Sequence, residues 1–229
     1  MMNSILGSFF ILFLSIIFSI YYQNGLSQFN FKMIQYNNNY LFFIFVLLVS
    51  SVSRYYYSKD NSYLRRSKNK FSLYIFKYLS DIIHVSTLFV VVCSIMNKDF
   101  LSLDFHNQIN LRYLGISISS IAITFFISSK ISLGKNYSPC FDQRTPSSIT
   151  TDGIYKFVRH PIYSSNILLM IGIFISTGSL IIAANTIILF AYYVLSAFIE
   201  ERAIIKKFPK YKSYKNRTGM FIPSFSKMI

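Results

Sequence analysis

The sequence predicts an all-α, polytopic membrane helical bundle of about six transmembrane helices, with both termini in the cytoplasm. Three observations predict it. Of 229 residues, 53% are hydrophobic and the mean hydropathy is +0.43. The apolar residues gather in several runs near the ~20 residues that cross a bilayer as a helix. The charges lie between those runs, 23 Lys and Arg against 8 Asp and Glu, for a net +15. A bilayer admits helices or closed barrels, and these runs are too long and continuous for barrel strands.

Taken in order, Ser4 to Tyr22 is apolar and uncharged. It has no basic leader and no small-residue cleavage site, so it reads as a retained first span. Gln23 to Asn39 is a polar loop. Tyr40 to Ser53 is a second apolar run, extended by Tyr55, Tyr56 and Tyr57 as an interfacial aromatic belt. Arg54 to Lys77 holds seven bases against Asp60, which reads as a cytoplasmic loop and is compatible with an anionic headgroup patch. Tyr78 to Met96 is the third span, with Asp81 and His84 on one helix face near its start. Asn97 to Asn110 is a near-neutral loop, in which His106 is an ordinary surface histidine. Arg112 to Leu133 is the fourth span, with Lys130 able to snorkel at its end.

Gly134 to Val158 is polar and leads into the chemistry-bearing stretch. Gly153-Ile154-Tyr155-Lys156-Phe157-Val158-Arg159-His160-Pro161-Ile162-Tyr163 opens an apolar hairpin that turns at Gly178-Ser179 and closes on Glu200-Glu201. Its arms, Pro161–Leu180 and Ile181–Glu200, are spans five and six. At about 1.5 Å per residue both are close to bilayer length, so Arg159, His160, Tyr163, Glu200 and Glu201 meet at one membrane face. From Arg202 to Ile229 the chain has eight bases and no acid, and reads as a tail on the membrane surface. Lys and Arg partition onto the side holding the 54–77 loop, the 134–159 loop and the tail, which puts both termini and the motif in the cytoplasm.

Composition excludes other classes. Cys93 and Cys140 make neither a disulfide framework nor a metal-ligand spacing. The positive charge comes without a nucleic-acid recognition motif. Rossmann, P-loop, GxSxG and HExxH signatures are absent. What remains is a charged cluster at a membrane boundary. Charge there is costly unless paired, so Arg159 with Glu200 or Glu201 is the expected salt bridge. Carboxylates suit a ligand's ammonium or ribose hydroxyls; Arg and His suit a ligand carboxylate; Tyr155 and Tyr163 add aromatic faces and hydroxyls.

The motif Gly153, Tyr155, Arg159, His160, Pro161 and Tyr163, followed by Glu200, Glu201, Phe208, Tyr211, Tyr214, Ile222 and Pro223, resembles the membrane methyltransferases typified by isoprenylcysteine carboxyl methyltransferase, with the phospholipid methyltransferases as more distant relatives. The resemblance covers roughly the last 95 residues. It divides the chain into N-terminal transmembrane helices at 1–132 and a methyltransferase core at 133–229. It implies S-adenosylmethionine held by Ser147, Ser148, Ile149, Thr150, Tyr155, His160, Pro161, Ile162, Tyr163 and Glu200. Arg159 and Glu201 take the catalytic-site role of building the pocket and orienting the acceptor. The implied partners are membrane lipid and a lipophilic methyl acceptor: a prenylcysteine-like carboxylate, a phospholipid or a small hydrophobe. The implied location is a prokaryotic cytoplasmic membrane or the endoplasmic reticulum.

Two departures bear on the acceptor. The segment before Gly153 is Ser147-Ser148-Ile149-Thr150-Thr151-Asp152, without the histidine of the prenylcysteine enzymes. Ser196 stands one turn before Glu200, where those enzymes carry an arginine. Two other classes are weighed. The sterol-reductase type, which uses NADPH, shares a similar hairpin but reads Arg-His-x-Asn-Tyr and Arg-Asp-Glu, unlike Arg159-His160-Pro161-Ile162-Tyr163 and Ile199-Glu200-Glu201 here. A non-enzymatic scaffold keeping the fold would tolerate alanine at His160 and Glu200.

Overall fold

A computed structural model of the protein describes residues 70–95, 101–103, 109–136 and 148–224. The spans expected at 4–22 and 40–53 lie outside them, as do most of the 54–77 loop, His106, Cys140 and Ser147. Among the described residues the fold is all-helical: α1 (Lys70–Ile95), α2 (Ile109–Leu133), α3 (Pro161–Thr177), α4 (Leu180–Lys207) and α5 (Tyr211–Arg217), with short 3-10 turns at Gly134–Asn136 and Gly153–Lys156. No strand occurs among them, only isolated bridges at Ser102–Ser179 and Val158–Gly219.

Two segments, Asn110–Leu133 and Leu180–Lys207, are long and apolar enough to cross a membrane; Tyr78–Ser94 and Pro161–Thr177 are shorter apolar helices. The outward faces agree with lipid as the solvent. Ile121, Phe125, Ile127 and Ile131 on α2, with Ile187, Leu195 and Phe198 on α4, are all exposed. So many exposed large apolar side chains on two helices suit a lipid surrounding.

The hairpin forms where the sequence places it. Pro161 occupies the first turn of α3, where its fixed φ suits helix entry and its missing N–H costs nothing. Gly178 ends α3 at φ 63°, the left-handed cap that glycine adopts without strain, its N–H donating to Phe174 O at 2.7 Å. Residues 101–103 lace onto this turn through Leu103 N–H to Gly178 O (3.0 Å) and Leu180 N–H to Leu101 O (2.8 Å). The interior of the bundle holds Leu88, Val91, Ile173, Ile182 and Ala197.

Packing between helices rests on small and polar residues. Gly115 and Ser119 of α2 face Ser176 and Gly172 of the antiparallel α3. The backbones approach so closely that a Cβ on Gly172 would meet Ser119 Oγ at 2.3 Å and Gly115 O at 2.7 Å. Small residues four apart allow this approach, and close packing replaces the hydrophobic drive that lipid does not supply. Asn185 of α4 donates to Ser86 Oγ of α1 at 2.8 Å, a polar tie inside an otherwise apolar contact.

Two expectations need adjusting. The third helix of the sequence reading begins at Lys70, not Tyr78, because charged residues mark the edge of an apolar run without ending a helix. The tail, expected on the membrane surface, is also part of the site. From Tyr211 to Phe221 it folds back over the start of α3, burying Tyr211 and Thr218. The backbone acceptors it brings to Arg159, described next, are the physical reason.

Candidate functional site

The site lies where α3 begins and α4 nears its end. From Leu180 to Glu200 is 20 residues, about 30 Å of helix, so the glutamates sit one hydrocarbon thickness from the turn. Consecutive positions on a helix diverge by roughly 100°, from 3.6 residues per turn. Glu201 therefore points into the protein, 1% exposed, while the Glu200 side chain stays 36% exposed.

Glu201 is the hub. Its Oε1 accepts from Arg159 Nε at 2.6 Å and lies 3.2 Å from His160 Nε2; its Oε2 pairs with Lys215 Nζ at 2.7 Å. Arg159, 7% exposed, is further committed: Nη1 donates to Lys215 O at 3.1 Å and to Thr218 O. The salt bridge expected from the sequence thus exists, and Glu201 is the partner. A buried carboxylate and guanidinium are tolerable only when paired in this way.

Glu200 has a different character. Tyr163 donates its phenolic O–H to Oε1, and His160 Nδ1 faces Oε2 at 3.6 Å, beyond a hydrogen bond. Both ring nitrogens of His160 thus face a carboxylate, Nε2 at the shorter distance. No Lys or Arg pairs with Glu200 among the described residues.

Aromatic rings floor the site. His160 stacks on Tyr163 (5.3 Å, 6°), which stacks on Tyr193 of α4 (4.4 Å, 8°); Phe221 tilts against His160 at 6.1 Å. His160 and Tyr163 share a face because they are three apart at the start of α3. Over them runs the returning tail. Arg159 N–H donates to Gly219 O (2.9 Å), His160 N–H to Met220 O (3.0 Å), Ser164 Oγ to Phe221 O (2.8 Å), and Tyr214 O–H to Tyr155 O (2.5 Å). Burial lifts the pKa of Tyr211 and of Tyr214, and Glu201's charge adds to it, so both phenols stay protonated.

Among the sequence-predicted residues, Arg159, His160, Tyr163, Glu200 and Glu201 come together. Pro161 and Ile162 are buried in the same helical turn, and Tyr155 is buried beneath α5. Ser148, Ile149 and Thr150 stand apart: Ser148 accepts from Asn136 Nδ2 at 2.9 Å beyond the end of α2, and no hydrogen bond among the described residues joins the three to the cluster. Sequence reasoning missed Lys215, Thr218 and the backbone of Gly219 to Phe221. One signal existed: two adjacent glutamates with a single arginine leave a carboxylate in want of a cation, and the acid-free tail supplies several.

Comparison with known proteins finds a family match and partial relatives. Residues 111–211 match the phospholipid methyltransferase family. Cobalt-zinc-cadmium resistance protein CzcN of Cupriavidus metallidurans is 33% identical over 84 residues, 36% of this chain and 39% of its own. Methanethiol S-methyltransferase 1 of Bradyrhizobium diazoefficiens is 40% identical over 83 residues, 35% of this chain and 28% of its own. Nickel-cobalt-cadmium resistance protein NccN of Alcaligenes xylosoxydans xylosoxydans is 31% identical over 84 residues, 36% of this chain and 39% of its own. The chain therefore spans well under half the length of these relatives. No solved structure matches it. The family match, the S-methyltransferase relative and the two apolar spans together support a membrane methyltransferase.

Proposed function

We propose that the protein is an integral membrane methyltransferase that uses S-adenosylmethionine to methylate a lipophilic acceptor at the cytoplasmic face. The observation that carries this reading is the Glu200–Tyr163–His160 group on an aromatic floor, roofed by residues 218–221 at the mouth of an apolar hairpin. In this reading the chain crosses the membrane six times, residues 133–229 form the catalytic core, and membrane lipid surrounds it.

The residues present fit the cofactor. Glu200 is half-exposed and unpaired with Lys or Arg among the described residues, so it retains acceptor capacity for an ammonium or ribose hydroxyls. The rings of His160, Tyr163 and Tyr193 are stacked on one another and buried, and half-buried Phe221 at the edge of that stack is the ring left to flank an adenine or a sulfonium cation. Tyr155, Pro161 and Ile162 complete the proposed contact set; Ser147 to Thr150 enter it on the family resemblance alone, since Ser148 to Thr150 stand apart from the cluster. Arg159 and Glu201 are committed to each other and to the roof, so their role is to hold the pocket rather than to touch the cofactor.

Bound there, S-adenosylmethionine supplies an already activated methyl group. The chain's work is then alignment and exclusion of water, effects that bring reactants into line without moving a proton. The apolar hairpin gives a greasy acceptor its approach from the bilayer side. A carboxylate acceptor, as in the prenylcysteine enzymes, is a ready nucleophile at neutral pH. A thiol acceptor is the second reading, favoured by the relative named for methanethiol.

Calorimetric titration of detergent-purified protein with S-adenosylhomocysteine tests the reading, run beside NADPH and beside Glu200→Ala. Binding lost in the variant is expected. NADPH binding alone would assign the chain to the reductases, and binding of neither by folded protein would leave the scaffold. Labelled methyl transfer to a lipophilic carboxylate and a lipophilic thiol then separates the acceptor classes.

A further inference from the structure

We infer that Lys215 is a positioning residue: it clasps the returning tail onto the site by pairing with Glu201 through its ammonium while offering its own backbone carbonyl to Arg159. The two contacts are 2.7 Å from Nζ to Glu201 Oε2 and 3.1 Å from Arg159 Nη1 to Lys215 O. One residue of α5 thus engages both members of the buried ion pair. Its side chain is 36% exposed against 7% for Arg159 and 1% for Glu201. The inner pair is locked; the Lys215 contact is the part of the network that water reaches.

The clasp matters because α5 does not hold itself in place. Seven residues make about two turns, too short to be stable alone. Its position depends on tertiary ties: buried Tyr211, Tyr214 O–H on Tyr155 O, and Lys215 on Glu201. The chain leaving α5 is the roof, Thr218 to Phe221, which bonds to residues 159, 160 and 164 and sets Phe221 against His160. Releasing Lys215 loosens α5, and with it the backbone that registers His160 and the ring that flanks it. Glu201 Oε2 would lose its cation at a buried position, which adds to the drive toward an open state.

This inference rests on the proposed function only for its ligand readout. The experiment uses the purified 229-residue chain with Lys215→Met, Lys215→Arg and, as control, Lys212→Met, an exposed lysine of the same helix. The first readout is limited trypsinolysis at Lys210, Lys212 and Arg217, which are exposed but protected while α5 stays docked. The second is calorimetric affinity for S-adenosylhomocysteine. The third is the split of KM for S-adenosylmethionine against kcat. Lys215→Met is expected to be cut at least tenfold faster, to bind the analogue at least tenfold more weakly, and to raise KM more than it lowers kcat. Lys215→Arg is expected to recover most of each loss, and Lys212→Met to match the wild type apart from its own lost cleavage site. Cleavage and affinity unchanged in Lys215→Met, or no recovery in Lys215→Arg, would overturn the clasp. If no form binds the analogue, the methyltransferase reading fails, and proteolysis alone still decides whether Lys215 holds the tail.

Discussion

Consider the pair at the heart of the network, Arg159 and Glu201, replaced singly and together by methionine. Both side chains are nearly excluded from solvent, at 7% and 1% exposure, and meet at 2.6 Å. Removing one partner of such a pair costs about 3–5 kcal/mol, because it strands a buried charge. The structure orders the two singles. Arg159→Met leaves Glu201 with Lys215 and His160, so its cost falls near the lower end. Glu201→Met leaves Arg159 with carbonyls only and removes the shared anion between two cations, so its cost falls near about 5 kcal/mol. At roughly 2–4 °C per kcal/mol for a chain of this size, Glu201→Met lowers Tm by about 10–20 °C. The double variant strands neither charge, and Lys215, already at the water edge, can turn outward. The expected coupling is therefore at least about 2 kcal/mol, the double variant being far less destabilised than the sum of the singles. Thermal unfolding in detergent, followed by near-ultraviolet dichroism of the 18 tyrosines in a chain without tryptophan, measures all four proteins. Additive losses would show that the pair does not act as a unit, and the argument that Arg159 and Glu201 hold the pocket would fall.

Other outcomes follow from the same geometry. Gly172→Ala drives a methyl toward Ser119 Oγ at 2.3 Å and Gly115 O at 2.7 Å; overpacking of this kind costs about 1–3 kcal/mol, read as a lower Tm with the site chemistry intact. Gly219→Ala places a Cβ 1.9 Å from Ile222 O and so distorts the roof; S-adenosylhomocysteine affinity falls more than Tm does, both measured on one preparation. Tyr211 and Tyr214 have raised pKa values in the fold through burial, whereas unfolded phenols ionise near ~10. The sign is fixed by that order: their stabilisation is complete below the unfolded value and is lost as pH climbs above it. Tm is therefore expected to drop above pH ~10, and the drop to be shallower in the double variant Tyr211→Phe, Tyr214→Phe.

Much of this was legible in the sequence, for identifiable reasons. The α3–α4 hairpin was readable because its punctuation is covalent: Pro161 can start a helix but not sit inside one, and Gly178 fits a left-handed cap. The Arg159–carboxylate pair was readable because uncompensated charge beside lipid is so costly that the partner had to be one of two adjacent residues. Which of the two was not readable. It depends on the rotation of α4, fixed by Tyr193 stacking on Tyr163 and by Ala197 buried in the interior, neither of which sequence spacing reveals. The path of the tail was hidden for a related reason. A basic, acid-free segment after a span reads as a membrane-surface tail, and only the positions of Glu201 and of the Arg159 donors show that it also covers the site.

The division of labour between the two glutamates is the step that joins the fold to the chemistry. Had both carboxylates been neutralised by Lys and Arg, the cluster would be a structural rivet with no capacity for a ligand. Had neither been, two like charges on successive residues at a membrane boundary would have been prohibitively costly. Turning Glu201 inward places it among Arg159, Lys215 and His160, and those contacts pin the roof to the hairpin. The same turn leaves Glu200 on the open side with one phenolic donor and spare acceptor capacity, beside an aromatic stack. In the proposed function, a site arranged this way suits a polar, cationic ligand against a greasy wall. That is what the proposed transfer of a pre-activated methyl group asks of the chain: alignment rather than proton transfer.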